Sequence, residues 1–370
     1  MITPFKTNPS LNLNICIIIP VKDEEETIIQ SLDALRFQKG RDNILINSDI
    51  YEVLVLANNC QDHTYSLIKE YQRIYPEFPL LVKEIAFVEK EANIGTARRF
   101  LMDAAYERFT LLNKNGIIAS TDGDTQVDEY WIYEIEKEIK KGCDVVGGEI
   151  ITNLEDSPTK QYHLHDIKYQ NLIARLESLI DPKLWNPWPS HFQCFGASFA
   201  IKANMYEKAG RLPQVPCLED VAFLKALELK DAKIRRSPNV RVTTSARKIG
   251  RVEKGLSQQL AWFESLGNNK QKQLVECAES IISRLEIKKS LFDFWSERKS
   301  NYSQNSNHLQ YHFEESTLKK WLDESEYFGE LWNKAQEELE RKKWFQQWES
   351  VDIEKALEDM ESYIDEIERP

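Results

Sequence analysis

The chain has 370 residues, 42% hydrophobic and 29% charged, enough to bury a large core and to hold more than one domain. Its net charge of −12 is unevenly spread: residues 256–370 hold 24 acids against 15 bases, and the remainder 36 against 33. Nucleic acid and an anionic membrane surface are therefore disfavoured as partners, since no strong basic field exists, although a local basic patch over 235–251 stays open.

No stretch approaches the roughly 20 uninterrupted apolar residues that a membrane-spanning helix needs. The apolar run 15–20 is short and only Lys6 precedes it, so a secretory signal is not expected either. The six cysteines (Cys16, Cys60, Cys143, Cys194, Cys217, Cys277) are scattered without metal-ligand spacing, which reads as reduced thiols of a cytoplasmic protein.

In chain order, the first half alternates short β-branched runs with amphipathic stretches, the pattern of an α/β layer with parallel strands. Strands are expected at 15–20, 53–57, 81–87, 116–121 and 144–152, and helices between them at 25–36, 64–75, 96–112 and 129–141. Near-continuous apolar runs such as Cys16-Ile17-Ile18-Ile19 suit strands covered on both faces. Residues 153–190 break this rhythm with a helix at 166–180 and a turn-rich loop, Asn186-Pro187-Trp188-Pro189. His163 and His165 alternate as strand or loop residues do, and without a third ligand nearby they make no zinc site. A strand at 192–201, a helix at 219–230 and a last strand at 240–244 follow. After Gly255 charged residues interleave with Trp, Leu and Ile at helical spacing. The expected organisation is a domain over 1–255 and a mostly helical extension over 256–370. Its tryptophans (Trp262, Trp295, Trp321, Trp332, Trp344, Trp348) are expected to be packing residues, against the first domain or a second subunit, and a homodimer is left open.

In open parallel sheets ligands bind beyond the carboxyl ends of the strands, so polar residues should appear where the apolar runs stop. Pro20-Val21-Lys22-Asp23-Glu24-Glu25 follows the first run, Asn58-Asn59-Cys60-Gln61-Asp62 the second, and Asp122-Gly123-Asp124 the fourth. Two carboxylates crowded on one tight turn repel, and a hard cation with oxygen ligands relieves that repulsion. Such a cation would also neutralise a departing diphosphate. The plain alternative is an acidic turn whose Asp128 caps the next helix. Glu219-Asp220, ahead of an apolar-periodic run, is either a helix cap favoured by the dipole or a general base. Arg247 and Arg251, four apart among small residues, are either a solvated basic loop or a diphosphate clamp.

Together these segments resemble the family-2 glycosyltransferases, over residues 14–255. The motifs stand in the family's order: 20–25, 58–64, Asn93-Ile94-Gly95-Thr96-Ala97-Arg98, Asp122-Gly123-Asp124, Gly196-Ala197-Ser198, Glu219-Asp220 and the Arg247/Arg251 loop. The resemblance implies a GT-A fold, one mixed, mostly parallel sheet flanked by helices. It also implies sugar transfer from a nucleotide-diphospho-sugar to the hydroxyl of a sugar or small-molecule acceptor, with inversion. By the same resemblance Pro20, Val21 and Glu24 line the nucleoside pocket, with Asn58 also on the donor side and Arg98 facing the nucleotide. Asp124 ligates Mg2+ or Mn2+, and Asp122 holds the ribose or a metal-bound water. Asp220 is the base with Glu219 beside it, and the small residues 196–198 let the backbone approach the sugar. His191 and Trp188 fall where the family usually builds its acceptor site, and are either acceptor contacts or part of a packed loop.

The chain departs from the family's pattern in three places. Ala57, followed by Asn58, stands where an acid often pairs with uracil, and Asp23 where an asparagine is more usual, which leaves the donor UDP- or GDP-linked. Thr243–Arg247 replaces a histidine metal ligand. Two other readings are carried: a GT-A-fold scaffold without catalysis, opposed by Asp122, Asp124 and Asp220, and a sugar-nucleotide pyrophosphorylase, opposed by the acidic rather than basic loop at 23–26. A dinucleotide dehydrogenase is disfavoured because no Gly-x-Gly-x-x-Gly follows the first strand.

Overall fold

The structure is a computed structural model that describes residues 5–155, 157–247, 255–297 and 307–369. The chain divides into two compact units, Met1–Glu155 with Gln193–Ala226 and Ala232–Trp262, and Asp156–Phe192 with Leu227–Asp231 and Phe263–Pro370. Composition alone suggested a single cut after residue 255; in the folded chain residues 156–192 group with the C-terminal helices.

In chain order the first unit begins with β1 (Ile15–Val21), α1 (Ile28–Arg36), β2 (Tyr51–Asn58), α2 (Thr64–Ile74), β3 (Leu80–Ile85), α3 (Ile94–Leu111), β4 (Ile117–Ser120), β5 (Thr125–Val127), α4 (Trp131–Lys140) and β6 (Val145–Thr152). After α5 (Pro158–Ile180), which belongs to the second unit, come β7 (Phe199–Lys202), α6 (Ala203–Lys208), α7 (Glu219–Glu228) and β8 (Ile234–Thr244). The eight strands form one sheet in the order β3-β2-β1-β4-β7-β6-β8-β5. β3, β2, β1 and β4 run parallel, as do β6 and β8, whereas β7 and β5 are antiparallel to their neighbours. The expected mixed, mostly parallel sheet flanked by helices is what forms.

Every residue of β1 and of β2 is buried, as the apolar runs 15–21 and 53–57 demand of strands covered on both faces. Two polar residues pay their way inside this layer by pairing. Glu52 of β2 accepts two bonds from the buried Arg108 of α3, one of them Nη2 to Oε2 at 2.5 Å, and Arg108 also donates to the Thr7 carbonyl at 2.8 Å.

Several elements differ from the sequence reading. The strand expected over 192–201 covers only 199–202, and β5, three residues long, is too short to leave a pattern. His163 and His165 lie inside α5, not on a strand or loop. That helix starts eight residues before the expected 166, because Ser157 caps it through a bond from the Lys160 amide (3.3 Å) and Pro158 opens it. Within the basic stretch from 235, Arg235 is buried 3.8 Å from Glu138 and Arg241 pairs with Glu149 at 3.1 Å.

In the second unit α8 (Leu256–Asn268) crosses the unit boundary. It is followed by β9 (Leu274–Val275), α9 (Ala278–Glu297), α10 (Asn307–His312), α11 (Glu315–Glu324), α12 (Phe328–Arg341), β10 (Val351–Asp352) and α13 (Ile353–Glu368). β9 and β10 form a small antiparallel ribbon. One core joins α9, α10, α11 and α12 around Leu291, Leu309, Phe313 and Leu331, and Trp295, Trp321, Trp332 and Trp344 pack on it. A second joins α5, α9 and α13 around Leu176, Ile281 and Met360. Trp262, by contrast, is 48% exposed. No two of the six cysteines are joined, and no helix among the described residues is long and apolar enough to cross a membrane.

Removing one partner of a buried ion pair strands the other charge, at a cost of about 3–5 kcal/mol. Arg108→Met should therefore lower stability by that amount in urea unfolding, and Arg108→Met combined with Glu52→Gln should recover part of it.

Candidate active site

The register of the sheet gathers five loops at one edge. Because β2, β1 and β4 are parallel, with Val21 opposite Ala57 and Ile18 opposite Ser120, residues 58–62, 20–25 and 121–124 all leave the sheet on the same side. β7 runs the other way, with Phe199 opposite Ser120, so the segment before it, Gly196-Ala197-Ser198, reaches that edge too. β5 and β8 are antiparallel with Thr125 opposite Thr244, which places Ser245–Arg247 beside Asp124. The Thr125 hydroxyl donates to Thr244 Oγ1 at 2.9 Å and ties the two loops together.

The acidic turn 122–124 sits on the first loop with no room to spare. A Cβ on Gly123 would stand 2.7 Å from Val21 Cγ1, and its carbonyl accepts from Ser31 Oγ (2.9 Å) and Thr27 Oγ1 (3.3 Å) of the α1 start. The turn therefore presses on the loop that carries Glu24. Glu24 is buried and its amide donates to Thr64 Oγ1 at 2.7 Å. Asp23 adopts the left-handed backbone conformation (φ 54°), which Asn and Asp tolerate best, and its carboxylate accepts from the Gln61 amide at 2.7 Å. That conformational requirement explains how an aspartate can stand where the family more often has asparagine.

Each aspartate of the turn is held by one arginine. Arg98, on the first turns of α3, donates through Nη2 to Asp122 Oδ1 at 2.5 Å and through Nη1 to Glu219 Oε1. Arg98 and Glu219 are both only 3% exposed. The backbone of Gly196 lies directly on this guanidinium, and any Cβ there would overlap it. The same Gly196 donates its amide to Asp220 Oδ2 at 2.9 Å, and the Val221 amide donates to Asp220 Oδ1 at 2.8 Å. A continuous chain of contacts thus runs from Asp122 through Arg98 to Glu219 and Gly196, and from Gly196 to Asp220. Leu218, just ahead of Glu219, is in the left-handed region (φ 54°), a strained choice for leucine that turns the start of α7 toward this cluster.

Arg247 grips the other side. It pairs bidentately with Glu24 (2.9 and 2.8 Å) and approaches Asp124 Oδ2 at 3.0 Å, while Ser245 Oγ donates to that same oxygen at 2.5 Å. Burial works against the charge on both Arg98 and Arg247, but the surrounding carboxylates outweigh it and hold both guanidinium groups protonated beyond their ordinary range. Burial pushes the Glu219 carboxyl above its usual range, with Arg98 opposing and Asp220 adding to the rise.

Of the residues singled out in the sequence, Pro20, Val21, Glu24, Asn58, Arg98, Asp122, Asp124, Glu219, Asp220 and Arg247 all lie in the first unit, on or behind this sheet edge. Pro20, Val21 and Asn58 are buried strand residues. Trp188 and His191 belong to the second unit, where the Arg175 guanidinium lies 4.6 Å over the Trp188 ring and His191 is buried. Arg251 lies outside the described residues. The sequence places Thr244 and Ser245 in the arginine loop without a role of their own and gives none to Thr125; in the structure Ser245 braces Asp124, and Thr125 joins Thr244 beside it. The missing side chain of Gly196 makes room for Arg98.

Residues 16–204 match the model of the family described as Glycosyl transferase family 2, about half of the chain. The chain belongs to that family. As a family-2 glycosyltransferase it carries its matched strands, the acidic turn and the Gly196 segment inside the matched span, with Glu219-Asp220 and Arg247 beyond it. No curated protein matches the chain. Among solved structures this glycosyltransferase is similar to TarS of S. aureus, at 13% identity and a TM-score of 0.44, over 77% of this chain and 49% of TarS, so it spans about half the length of that protein. It is also similar to the mannosyltransferase PcManGT from Pyrobaculum calidifontis, at 14% identity and a TM-score of 0.42, over 91% of this chain and 78% of that one.

The burial of Glu219 has a testable pH signature. A carboxyl whose pKa is raised on folding binds more protons folded than unfolded, so it favours folding at acid pH and its contribution is lost as pH rises through the folded value. Arg98→Met removes the cation that opposes the rise. Its melting temperature should fall more steeply than that of the wild type between about pH 5 and 8. Parallel pH profiles for the two proteins would refute this account.

Proposed function

We propose that this glycosyltransferase moves a sugar from a nucleoside-diphosphate donor, UDP- or GDP-linked, to the hydroxyl of a sugar or small-molecule acceptor. The reading is a metal-assisted transfer with inversion, in which Asp220 is the general base. The observation that carries it is the network at the sheet edge, which links Asp122 to Asp220 through one buried arginine and the Gly196 backbone. Support for the donor class comes from family membership and from relatives such as PcManGT, solved in complex with GDP-Man and Mn2+.

The residues fit a divalent cation. Asp122 commits one oxygen to Arg98, and the other has no partner among the described residues. Asp124 engages Oδ2 strongly, while Oδ1 has only a 3.5 Å contact with the Thr125 hydroxyl. Two hard oxygen donors on one turn suit Mg2+ or Mn2+. The cation would supply charge neutralisation of the diphosphate leaving group.

Within the protein, Asp220 is held in one orientation by its two backbone donors, and its oxygens keep lone pairs to accept the acceptor's hydroxyl proton. As that proton moves to Asp220, the acceptor oxygen bonds to the anomeric carbon and the bond from that carbon to the diphosphate oxygen breaks. The electron pair leaves with the nucleoside diphosphate. Attack opposite the leaving group inverts the configuration. Glu219, buried and ion-paired, acts as a positioning residue for Arg98 and not as the base. Pro20, Val21, Glu24 and Asn58 form the nucleoside side.

Incubation with a panel of nucleotide sugars and Mn2+ or Mg2+ tests the reading. Slow release of nucleoside diphosphate by hydrolysis is expected, and Asp124→Ala should abolish it. Absence of turnover with every donor would favour a non-catalytic scaffold. Once an acceptor is in hand, Asp220→Asn should retain donor binding and lose ~10²–10⁴-fold in turnover, the usual worth of a general base. Near-normal turnover would reassign the base.

A further inference from the structure

The two arginines that grip the acidic turn are held very differently. Arg98 is 3% exposed, has both terminal nitrogens on carboxylates and lies under the Gly196 backbone, so it has nowhere to go. Arg247 has a side chain one-third exposed, stands three residues past the end of β8, and divides its guanidinium between Glu24 and Asp124. Its charge therefore already sits on the carboxylate that is proposed to receive the metal. Whichever oxygen of Asp124 a dication takes, a guanidinium 3.0 Å from Oδ2 of the same carboxylate repels it.

We propose that Arg247 is an exchangeable cation latch. In the donor-free enzyme it competes with the divalent ion for Asp124 and ties that residue to Glu24; when metal and nucleotide arrive together it is released onto the donor's diphosphate. This rests on the reading of Asp124 as metal ligand and of Glu24 as a nucleoside-side residue. Metal alone must displace the guanidinium into water and so binds weakly. With a diphosphate present, the displaced guanidinium gains a new anionic partner in a bidentate geometry that arginine suits. Metal and nucleotide then strengthen each other's binding through one side chain, by the same factor in both directions. The arrangement also closes the Glu24 side while the site is vacant, since Arg247 occupies both Glu24 oxygens.

The test is Mn2+ titration followed by electron paramagnetic resonance, without nucleotide and then with UDP or GDP, on wild type, Arg247→Met, Arg247→Lys and Asp124→Asn. If the latched form holds ~90% of the free enzyme, unlocking it raises the apparent Mn2+ affinity about tenfold. Arg247→Met should therefore bind Mn2+ alone about tenfold more tightly, yet bind the nucleoside diphosphate more weakly at saturating Mn2+. Arg247→Lys, which keeps the charge, should stay near wild type for Mn2+ alone. Unchanged or weaker Mn2+ binding by folded Arg247→Met overturns the latch. Wild-type Mn2+ affinity in Asp124→Asn instead overturns the metal-site reading on which the latch depends. Should Arg247→Met unfold because Glu24 loses its partner, Arg247→Gln provides the same readout: it removes the cation from Asp124 but can still donate a hydrogen bond to Glu24, and absence of tighter Mn2+ binding there also overturns the latch.

Discussion

A single buried guanidinium sets most of the geometry at the working edge of this protein. Arg98 must carry its charge inside the fold, and an unpaired buried charge is among the most costly things a protein can hold. It is tolerated because two carboxylates from distant parts of the chain, Asp122 after β4 and Glu219 at the start of α7, converge on it. The same requirement reaches to residue 196. Only a glycine lets the backbone lie against the guanidinium, and that backbone then orients Asp220 through its amide. Asp122 and Asp220 are thereby tied into one network of contacts; on the proposed reading of their roles, this is the kind of preorganisation that makes electrostatic catalysis effective.

Opposite this fixed arginine stands one that is free to move. Arg247 pairs with Glu24 and Asp124, but its side chain is one-third exposed and it stands three residues past the end of β8. The asymmetry is physical. A charge sealed under backbone cannot exchange partners, whereas one at the solvent boundary loses little in moving from one anion to another. The site thus combines a rigid half that positions and a labile half that responds to charge, both built from ordinary ion pairs.

Much of the architecture was legible from the residues. The apolar runs within β1 and β2 announce strands buried on both faces, and polar residues at their ends announce the ligand edge, because a parallel sheet forces every such loop to one side. The order of the motifs led to the family. The short β5, the four-residue β7 and the early start of α5 were not legible: three or four strand residues leave no period, and the alternating His163 and His165 mask a helix whose start is signalled by Ser157 and Pro158. Nor did local pattern assign the tail's tryptophans one by one. Trp295, Trp321, Trp332 and Trp344 line one core while Trp262 is half exposed, although all sit at helical spacing.

What the sequence determined by itself is chemistry and kind: an α/β sheet, an acidic turn at a strand end, a carboxylate pair opening a helix, and a family of sugar-transferring enzymes. What only the tertiary structure decided is which charges meet. Arg98 and Glu219 are 121 positions apart, and Arg247 and Glu24 are 223 apart. No local spacing encodes such pairs, because they arise from strand register and crossover, which bring chain-distant loops to one edge. A sequence displays which residues carry charge; only the closed fold, by removing water from around them, determines which of those charges must find one another.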